Sequence, residues 1–259
     1  MNQQERRKWL INYLLSEKEE YKSIAVPADE KEQFKLYRSL VNVRMPKAVS
    51  DEYFTVEDEF LREETAKKGV TAIGDLAPAA DGIYIWQGDI TTLKADAIVN
   101  AANSQMLGCF CPCHGCIDNC IHTFSGIRLR EKCHELMKAQ GAPEPTGKAK
   151  ITPAYNLPCK YVIHTVGPII RGVLTNRDKQ QLASCYRECL ELADKYELKS
   201  IAFCCISTGE FHFPNDKAAE IAIKAVKEYK AEKNSKIEVI FNVFKAIDKS
   251  IYEEILSAD

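Results

Sequence analysis

Five cysteines lie within twelve residues of this 259-residue chain, and one histidine stands among them. The cysteines are Cys109, Cys111, Cys113, Cys116 and Cys120. Thiolate and neutral imidazole groups bind zinc as tetrahedral ligands. His114 and Cys116 are two residues apart, so in an extended backbone both side chains leave on one side. The third ligand could be any of the three cysteines that precede His114, because the spacing does not separate them.

The cluster differs from a zinc ribbon, because the sequence has no second ligand pair at ribbon spacing. Three protein ligands and one open position are typical of catalytic zinc. The alternative is a reduced, redox-sensitive cysteine cluster. A disulfide framework is not expected, since the chain has eleven cysteines, an odd number, and no predicted export signal. His122 and His134 are interpreted as helix-surface or core residues rather than as ligands.

Two kinds of pattern divide the chain near residue 80. Residues 1–80 carry apolar side chains at helical spacing and end at the turn-forming segment LAPAADG. From residue 83 onward, short apolar runs typical of strands alternate with amphipathic helical patterns. We therefore expect a helical N-terminal extension over 1–80 and one α/β domain over 81–259.

The second part favours a layered α/β fold. Strands are predicted at 83–90, 96–102, 148–155, 161–167, 200–207 and 236–244, and helices at about 118–139, 178–196, 214–230 and 246–257. In such sheets ligands bind beyond the carboxyl ends of the strands. The polar residues at the ends of these runs, among them Asp89, Asn100, Asn103 and Ser207, are therefore candidates for a binding site.

Composition excludes several classes of function. The net charge is −2, so the chain has no broad basic field for a nucleic-acid backbone. No apolar stretch approaches the roughly 20 residues that span a bilayer. The N-terminus has no apolar signal region with a small-residue cleavage site. We expect a cytoplasmic protein that binds neither nucleic acid nor membrane.

Five short motifs occur in one order along the second part. They are GDI at 88–90, IVNAAN at 98–103, CIDNCIH at 116–122, HTVGP at 164–168 and STGEFHFP at 207–214. Together they resemble a macrodomain, the ADP-ribose-binding α/β module. The segment LGCFCPCHGCIDN replaces the usual glycine-rich first loop. With the helical extension, it resembles the zinc-dependent macrodomain class of protein-ADP-ribose hydrolases. The resemblance implies a three-layer α/β/α macrodomain with a mixed central sheet.

The resemblance also implies a set of site residues. One zinc ion would be held by Cys109, His114 and Cys116. The implied ADP-ribose-binding residues are Asp89, Ile90, Asn103, Cys116, Ile117, Asp118, Ser207, Thr208, Gly209, Glu210 and Phe211. Within this set Asp89 would accept the adenine amino group, and the loop 207–211 would offer backbone N–H groups to phosphate. Phe244 is a candidate to stack on adenine, with core packing as the alternative.

The activity implied is the removal of mono-ADP-ribose from modified protein side chains, with acidic side chains as the expected attachment point. Asp118 and Asn103 would be catalytic, Asp118 as a general base or as a group that orients the ribose. The expected partners are ADP-ribose and a mono-ADP-ribosylated protein, which the resemblance suggests is a lipoyl-carrier protein modified by a sirtuin-type transferase. The alternatives are an ADP-ribose reader without turnover and an O-acyl-ADP-ribose deacylase. A zinc-stabilised nucleic-acid binder is a third alternative, against which the net charge weighs.

Overall fold

The computed structural model describes residues 1–258. The helices are α1 (Gln3–Ser16), α2 (Glu30–Val43), α3 (Asp51–Lys68), α4 (Ile117–Ser125), α5 (Ile127–Gln140), α6 (Asn176–Lys195), α7 (Asn215–Lys233) and α8 (Ala246–Ala258). The strands are β1 (Thr71–Ala72), β2 (Pro78–Ala80), β3 (Ile83–Gln87), β4 (Leu93–Lys94), β5 (Ala97–Ala101), β6 (Ala149–Pro153), β7 (Tyr161–Thr165), β8 (Ser200–Phe203) and β9 (Glu238–Val243). A short 3₁₀ turn, Ile90–Thr92, follows β3.

Seven strands form one mixed sheet in the order β2-β3-β9-β8-β5-β7-β6. The five central strands run parallel, while β2 and β6 join antiparallel at the two edges. All residues of Ser200–Phe203, in the middle of the sheet, are buried. Because successive strand residues point to opposite faces, both faces of the sheet must be covered. The expected layered α/β fold with a mixed sheet is confirmed.

The helices that cover the sheet belong to two groups. Helices α6, α7 and α8 pack against one another in series, and α4 and α5 pack together against β5 and β6. Helix α2 of the N-terminal region packs on α4. The segment before α4 that carries the candidate ligands Cys109, His114 and Cys116 therefore lies between the sheet and the N-terminal helices.

The single helix predicted over about 118–139 is wrong, because the structure contains two helices that meet at Gly126. This glycine has a φ of 92°, a conformation that side-chain-bearing residues rarely adopt. A Cβ at this position would also lie 2.6 Å from Glu57 Oε2. The apolar pattern continues across the break, so the pattern alone predicts one helix where tertiary contacts require two.

The N-terminal region is helical, as expected, and has an apolar core of its own. Its three helices begin at the side-chain caps Asn2, Asp29 and Ser50, each of which accepts a backbone N–H. Ile127 of α5 contributes a side chain from the α/β part of the chain to that core. The last helix ends at Lys68, and β1 and β2 follow and pair with β4 and β3. The boundary at residue 80 stays a prediction.

One carboxyl group is buried where the N-terminal helices meet α5. The hydroxyls of Tyr37 and Tyr53 donate to Glu57 Oε1 at 2.8 and 3.2 Å, and the N–H of Ile127 donates to Oε2 at 3.0 Å. Burial raises the pKa of Glu57 to about 7, against the opposing effect of these three donors. Glu57 thus connects α2 and α3 to the start of α5.

Among residues 1–258, none of the helices combines the length and apolar character that crossing a bilayer requires.

Candidate functional site

Four loops of the site follow parallel strands and so lie at one edge of the sheet. Asp89 follows β3, Asn103 follows β5, Ser207 follows β8 and Phe244 follows β9. Because these strands are neighbours in the order β3-β9-β8-β5, their carboxyl ends form one continuous edge. This is where ligands bind in sheets of this kind.

The loop between β5 and α4, residues 102–116, brings three metal-ligand side chains together. We call it the cysteine loop. The ligand atoms of Cys109, His114 and Cys116 lie within 4.8 Å of one another. Cys109 Sγ is 3.7 Å from His114 Nδ1. Two thiols and one imidazole, all half-buried, form a donor set suited to zinc.

The other cysteines of the cluster are directed elsewhere. Cys111 is exposed. The Sγ of Cys113 contacts Ser39 Oγ at 3.2 Å, and the Sγ of Cys120 accepts from the Arg38 guanidinium at 3.5 Å. The tertiary structure thus separates three candidates that the spacing left equivalent.

Cys116 also caps the N-terminus of α4. Its Sγ accepts the N–H of Asn119 at 3.4 Å. Burial raises the pKa of the Cys116 thiol to about 12, although the Asn119 N–H acts in the opposite direction. A positive charge beside Sγ would therefore be needed to hold this thiol as a thiolate at neutral pH.

His114 connects the cysteine loop to the loop after β8. With Nδ1 facing Cys109, its second nitrogen, Nε2, lies 3.6 Å from Glu210 Oε1. Metal-binding histidines commonly direct their second N–H toward a carboxylate, which orients the ring. Glu210, expected in the phosphate loop, therefore lies beside a candidate metal ligand.

Asp118 lies in the first turn of α4, directly after the loop that carries the three ligand residues, and is buried. Its Oδ1 accepts from Asn100 Nδ2 at 2.8 Å, and its Oδ2 lies 3.4 Å from Asn103 Nδ2. Burial raises the pKa of Asp118 to about 6, with Asn100 and the Arg130 charge acting against it. The Nδ2 of Asn103 also donates to the Gly108 carbonyl at 3.0 Å. The expected pair of catalytic residues thus shares one hydrogen-bonded cluster.

Asn100 completes that cluster; the sequence placed it at the same strand end as Asn103 but assigned it no role in the site. Its side chain is fully buried and contacts both Asp118 and His164 Nδ1, the latter at 3.1 Å. A polar residue inside the apolar run IVNAA needs buried partners. That signal was available in the sequence.

A second group of metal-ligand side chains lies below Asp118, formed by His122, Cys133 and His164. Burial lowers the pKa of both histidines, so both are neutral. Both ring nitrogens of His164 have protein partners, Asn100 and Thr152. We interpret this group as a neutral polar core that supports Asp118.

Asp89 is a cap as well as a candidate adenine contact. Its Oδ1 accepts from the N–H and the Oγ1 of Thr91 at 3.0 and 2.6 Å. Its Oδ2 accepts from Lys68 Nζ at 2.9 Å. Burial acts to raise the pKa of Asp89, but Thr91 and Lys68 outweigh it and lower the pKa below its usual value. Asp89 is therefore ionised at neutral pH. The side chain of its neighbour Ile90 is buried in the core.

The loop 207–211 presents backbone rather than side chains. Ser207 adopts a φ of 66°, and its Oγ is buried and has no hydrogen-bond partner among residues 1–258. Thr208 Oγ1 donates back to the Cys205 carbonyl at 3.0 Å. The backbone N–H groups of Gly209, Glu210 and Phe211 donate to no acceptor within residues 1–258. Consecutive free N–H groups of this kind attract anions.

The N-terminus of α4 offers a second group of donors. The N–H groups of Ile117 and Asp118 belong to the first turn of α4, where helices leave backbone donors free. Anions bind readily at such a position. The residues expected against the diphosphate thus occupy two facing loops.

Phe244 is 76% exposed at the end of β9, which rules out the alternative that it packs in the core. Its carbonyl accepts from Gln87 Nε2 at 3.2 Å. Its ring is free to contact a ligand at this edge of the sheet.

The comparison with known proteins agrees with this geometry. Residues 99–222 match the family model described as Macro domain. A protein-ADP-ribose hydrolase of Treponema medium is 55% identical over 261 aligned positions, which cover 99% of this chain and 100% of the relative. The chain belongs to the macrodomain family. A protein-ADP-ribose hydrolase of Staphylococcus aureus (strain MRSA252) is 50% identical to this macrodomain, over 98% of its chain and 96% of the relative.

Solved structures show the same family. A Trypanosoma brucei macrodomain in complex with ADP-ribose is similar to this macrodomain with a TM-score of 0.65 and 29% identity, over 85% of this chain and 94% of that one. An Oceanobacillus iheyensis macrodomain with ADP has a TM-score of 0.63 and 35% identity, over 71% of this chain and 94% of that one. The resemblance to macrodomains that the five motifs indicated is confirmed.

Proposed function

We propose that this macrodomain hydrolyses the bond that joins ADP-ribose to a protein side chain, in a site that holds one zinc ion on Cys109, His114 and Cys116. The observation that carries the proposal is the convergence of these three ligand atoms in the loop that ends at the first turn of α4, where Asp118 lies. Close relatives named protein-ADP-ribose hydrolases support the reaction class.

The strand order suggests how the ligand lies. Asp89 follows β3, the free N–H groups of 209–211 follow β8, and the cysteine loop follows β5. With neighbouring strands about 4.8 Å apart, the three steps from β3 to β5 span about 14 Å. Adenine would lie at Asp89, the diphosphate at 209–211, and the distal ribose at the cysteine loop.

Two residues would act on the distal ribose. Asn103 and Asp118 would orient its hydroxyls, and Asp118 Oδ2 would take one proton from the attacking water. The water oxygen forms a bond to the ribose C1″, and the bond from C1″ to the side-chain oxygen breaks. A carboxylate leaving group departs as the anion and needs no proton. The chemistry that a bound zinc supplies is Lewis-acid polarisation of a ribose hydroxyl or a water.

The acceptor side chain and the partner follow from the family resemblance. We propose an ester linkage to Asp or Glu of a mono-ADP-ribosylated protein. A lipoyl-carrier protein modified by a sirtuin-type transferase is the proposed target, and the cytoplasm the proposed location.

The test follows release of ADP-ribose from a protein mono-ADP-ribosylated on acidic side chains. Cys116→Ser should lose bound zinc and at least about a hundredfold in release. Asp118→Asn should keep the metal and lose about a hundredfold or more, as expected for a proton acceptor. Cys111→Ser is the matched control, because its thiol lies in the same loop but is exposed. Near-normal release by both Cys116→Ser and Asp118→Asn would refute the proposal.

A substrate comparison separates the alternatives. Tight binding of ADP-ribose with no release from any substrate would make the protein a reader. Faster hydrolysis of O-acetyl-ADP-ribose than of the modified protein would make it a small-molecule deacylase.

A further inference from the structure

We propose that helix α2 of the N-terminal extension is part of the metal site, and that Arg38 and Asn42 position the cysteine loop so that its three ligands converge. This inference rests on the zinc site of the proposed function. Both residues lie on α2, which packs on α4.

Arg38 ties the end of the loop to the first turn of α4. Its Nη2 donates to the His114 carbonyl at 2.7 Å and to Asn119 Oδ1 at 2.8 Å. The fully buried Asn119 in turn donates through Nδ2 to the Cys111 carbonyl at 2.9 Å. Arg38 therefore acts on the backbone of a ligand residue directly and on the middle of the loop through Asn119.

Asn42 holds the turn of the loop. Its Oδ1 accepts the Cys113 N–H at 2.9 Å, and its Nδ2 donates to Thr123 Oγ1 of α4 at 3.1 Å. Cys113 has a φ of 54°, a left-handed conformation that a side chain disfavours. The Asn42 side chain is 1% exposed, so its contacts are shielded from water. It stabilises the backbone turn that directly precedes His114.

Arg130 closes the same arrangement from the macrodomain side. Its guanidinium donates to the Leu107 carbonyl at the start of the loop, at 2.7 Å. It also donates to the carbonyls of Val41 and Arg44 at the end of α2, at 2.7 and 2.6 Å. Start, turn and end of the cysteine loop are thus all connected to α2.

The test measures zinc affinity by competition with a chromophoric chelator on the full chain. Residues that orient metal ligands typically change metal affinity 10- to 100-fold. Arg38→Met and Asn42→Ala should each weaken zinc binding about tenfold or more. Arg38→Lys keeps the positive charge but loses the planar guanidinium with its several N–H donors. Its zinc affinity should lie between those of Arg38→Met and the wild type.

Arg6→Met is the matched control. It removes two ion pairs of the extension, with Glu59 and Glu63, and contacts no loop residue. Zinc affinity within twofold of wild type in Arg38→Met and Asn42→Ala would refute the positioning role. If Arg38→Met fails to fold, Arg38→Lys decides by the same measurement. A wild-type chain that binds no zinc would refute the proposed metal site itself.

An independent contact carries a second proposal, at the other end of the cleft. We infer that Lys68, the last residue of α3, positions Asp89 for a purine that carries a 6-amino group. Lys68 Nζ lies 2.9 Å from Asp89 Oδ2 and 3.3 Å from the Phe124 ring centroid. A lysine is also favoured at this helix C-terminus by the helix dipole.

The hydrogen-bonding capacity of Asp89 makes this contact selective. A carboxylate has about four lone-pair sites. Thr91 takes two on Oδ1, and Lys68 takes one on Oδ2. One acceptor site on Oδ2 is left, and Lys68 determines its direction. An amino group can donate to it, whereas the 6-carbonyl of hypoxanthine cannot.

The test compares calorimetric binding of ADP-ribose with that of its hypoxanthine analogue. Lys68→Met should reduce the preference for ADP-ribose about three- to fivefold, the effect of one exposed ion pair. Lys67→Met is the matched control, since Lys67 pairs with Glu63 and Glu64 instead. An unchanged or increased preference in Lys68→Met would refute the inference. A wild-type chain that binds neither nucleotide would refute the proposed function instead.

Discussion

The two loops that flank the cleft differ in what holds them and in what they present. The cysteine loop is held by side chains from outside it, Arg38 and Asn42 of α2 and Asn119 of α4. The loop after β8 is held by backbone hydrogen bonds instead, from the Phe213 N–H to the Ser207 carbonyl within the loop and from the Ile170 N–H to the Phe211 carbonyl, both at 2.9 Å.

The difference matches the chemistry proposed for each loop. Thiol and imidazole ligands are side chains, so the backbone that carries them must be fixed by other groups. Phosphate oxygens are bound by N–H groups, so a loop that binds them must leave its own N–H groups free. The loop 207–211 does this at Gly209, Glu210 and Phe211. The first loop therefore depends on side chains of other elements, and the second depends on backbone hydrogen bonds.

The largest expected effect is that of Asn119→Ala. This change removes one acceptor of Arg38 and the donors to the Cys109 and Cys111 carbonyls, all supplied by a side chain that is itself fully buried. We expect about 4 kcal/mol lower stability and at least a hundredfold weaker zinc binding. Denaturant unfolding and chelator competition measure the two. Thr208→Ala is the comparison in the other loop. It removes one hydrogen bond, from Thr208 Oγ1 to the Cys205 carbonyl, and should lower the unfolding free energy by about 1 kcal/mol.

The pH dependence of the unfolding free energy tests how the N-terminal extension is attached to α5 through the buried Glu57 carboxyl group. The folded-state pKa of Glu57 is about 7, above its usual value of 4.5. The folded protein therefore binds a proton that the unfolded chain releases, and the stability from this group falls as pH rises from 4.5 to 7. The expected loss is about 3 kcal/mol, and it should be complete above pH 7.

Glu57→Gln provides the control, because glutamine does not titrate. The difference in unfolding free energy between wild type and Glu57→Gln should change by about 3 kcal/mol between pH 5 and pH 8. A difference that is constant over this range would contradict a raised pKa at Glu57.

Alanine substitutions at Gly209 and Gly115 compare how the loop after β8 and the cysteine loop contribute to ligand binding. A Cβ at Gly209 or Gly115 would meet nothing within 4 Å, so alanine fits at both. Gly209→Ala should weaken ADP-ribose binding about tenfold, because its Cβ would lie beside the free N–H groups that phosphate approaches. Gly115→Ala should leave zinc affinity and ADP-ribose affinity near wild type. Calorimetry of both variants decides, and equal effects would remove the distinction between the loops.

The smallest expected effect is that of Glu210→Gln. It removes a negative charge 3.6 Å from His114 Nε2, on a side chain that is 70% exposed. Screening by water limits the effect, so zinc affinity should fall about two- to fivefold. Chelator competition measures it, with Glu220→Gln on the surface of α7 as control. A hundredfold loss would mean that the second loop also holds the metal ligands.

The sequence predicts the positions of some site residues in the fold but not of others. Asp89, Asn103 and Ser207 follow strands, so their common edge could be predicted from strand alternation. Asn100 ends the same strand as Asn103, but its hydrogen bond to Asp118 is visible only in the structure. The break at Gly126 was missed because the apolar period continues through it while Glu57, 69 residues earlier, occupies the space of a side chain.

The sequence by itself determined the family and the α/β layers, because motifs and strand–helix alternation are local properties of the chain. Its spacing gave His114 and Cys116 as candidate ligands but left Cys109, Cys111 and Cys113 equivalent, and only the family resemblance pointed to Cys109. Only the tertiary structure revealed that Arg38 and Asn42 hold the cysteine loop and that Lys68 contacts Asp89. Arg38 reaches a loop that begins about 70 residues later, and the contact depends on how α2 packs on α4. The spacing of residues in a motif describes neighbours along the chain. Which distant side chains contact that motif depends on how the helices and strands pack.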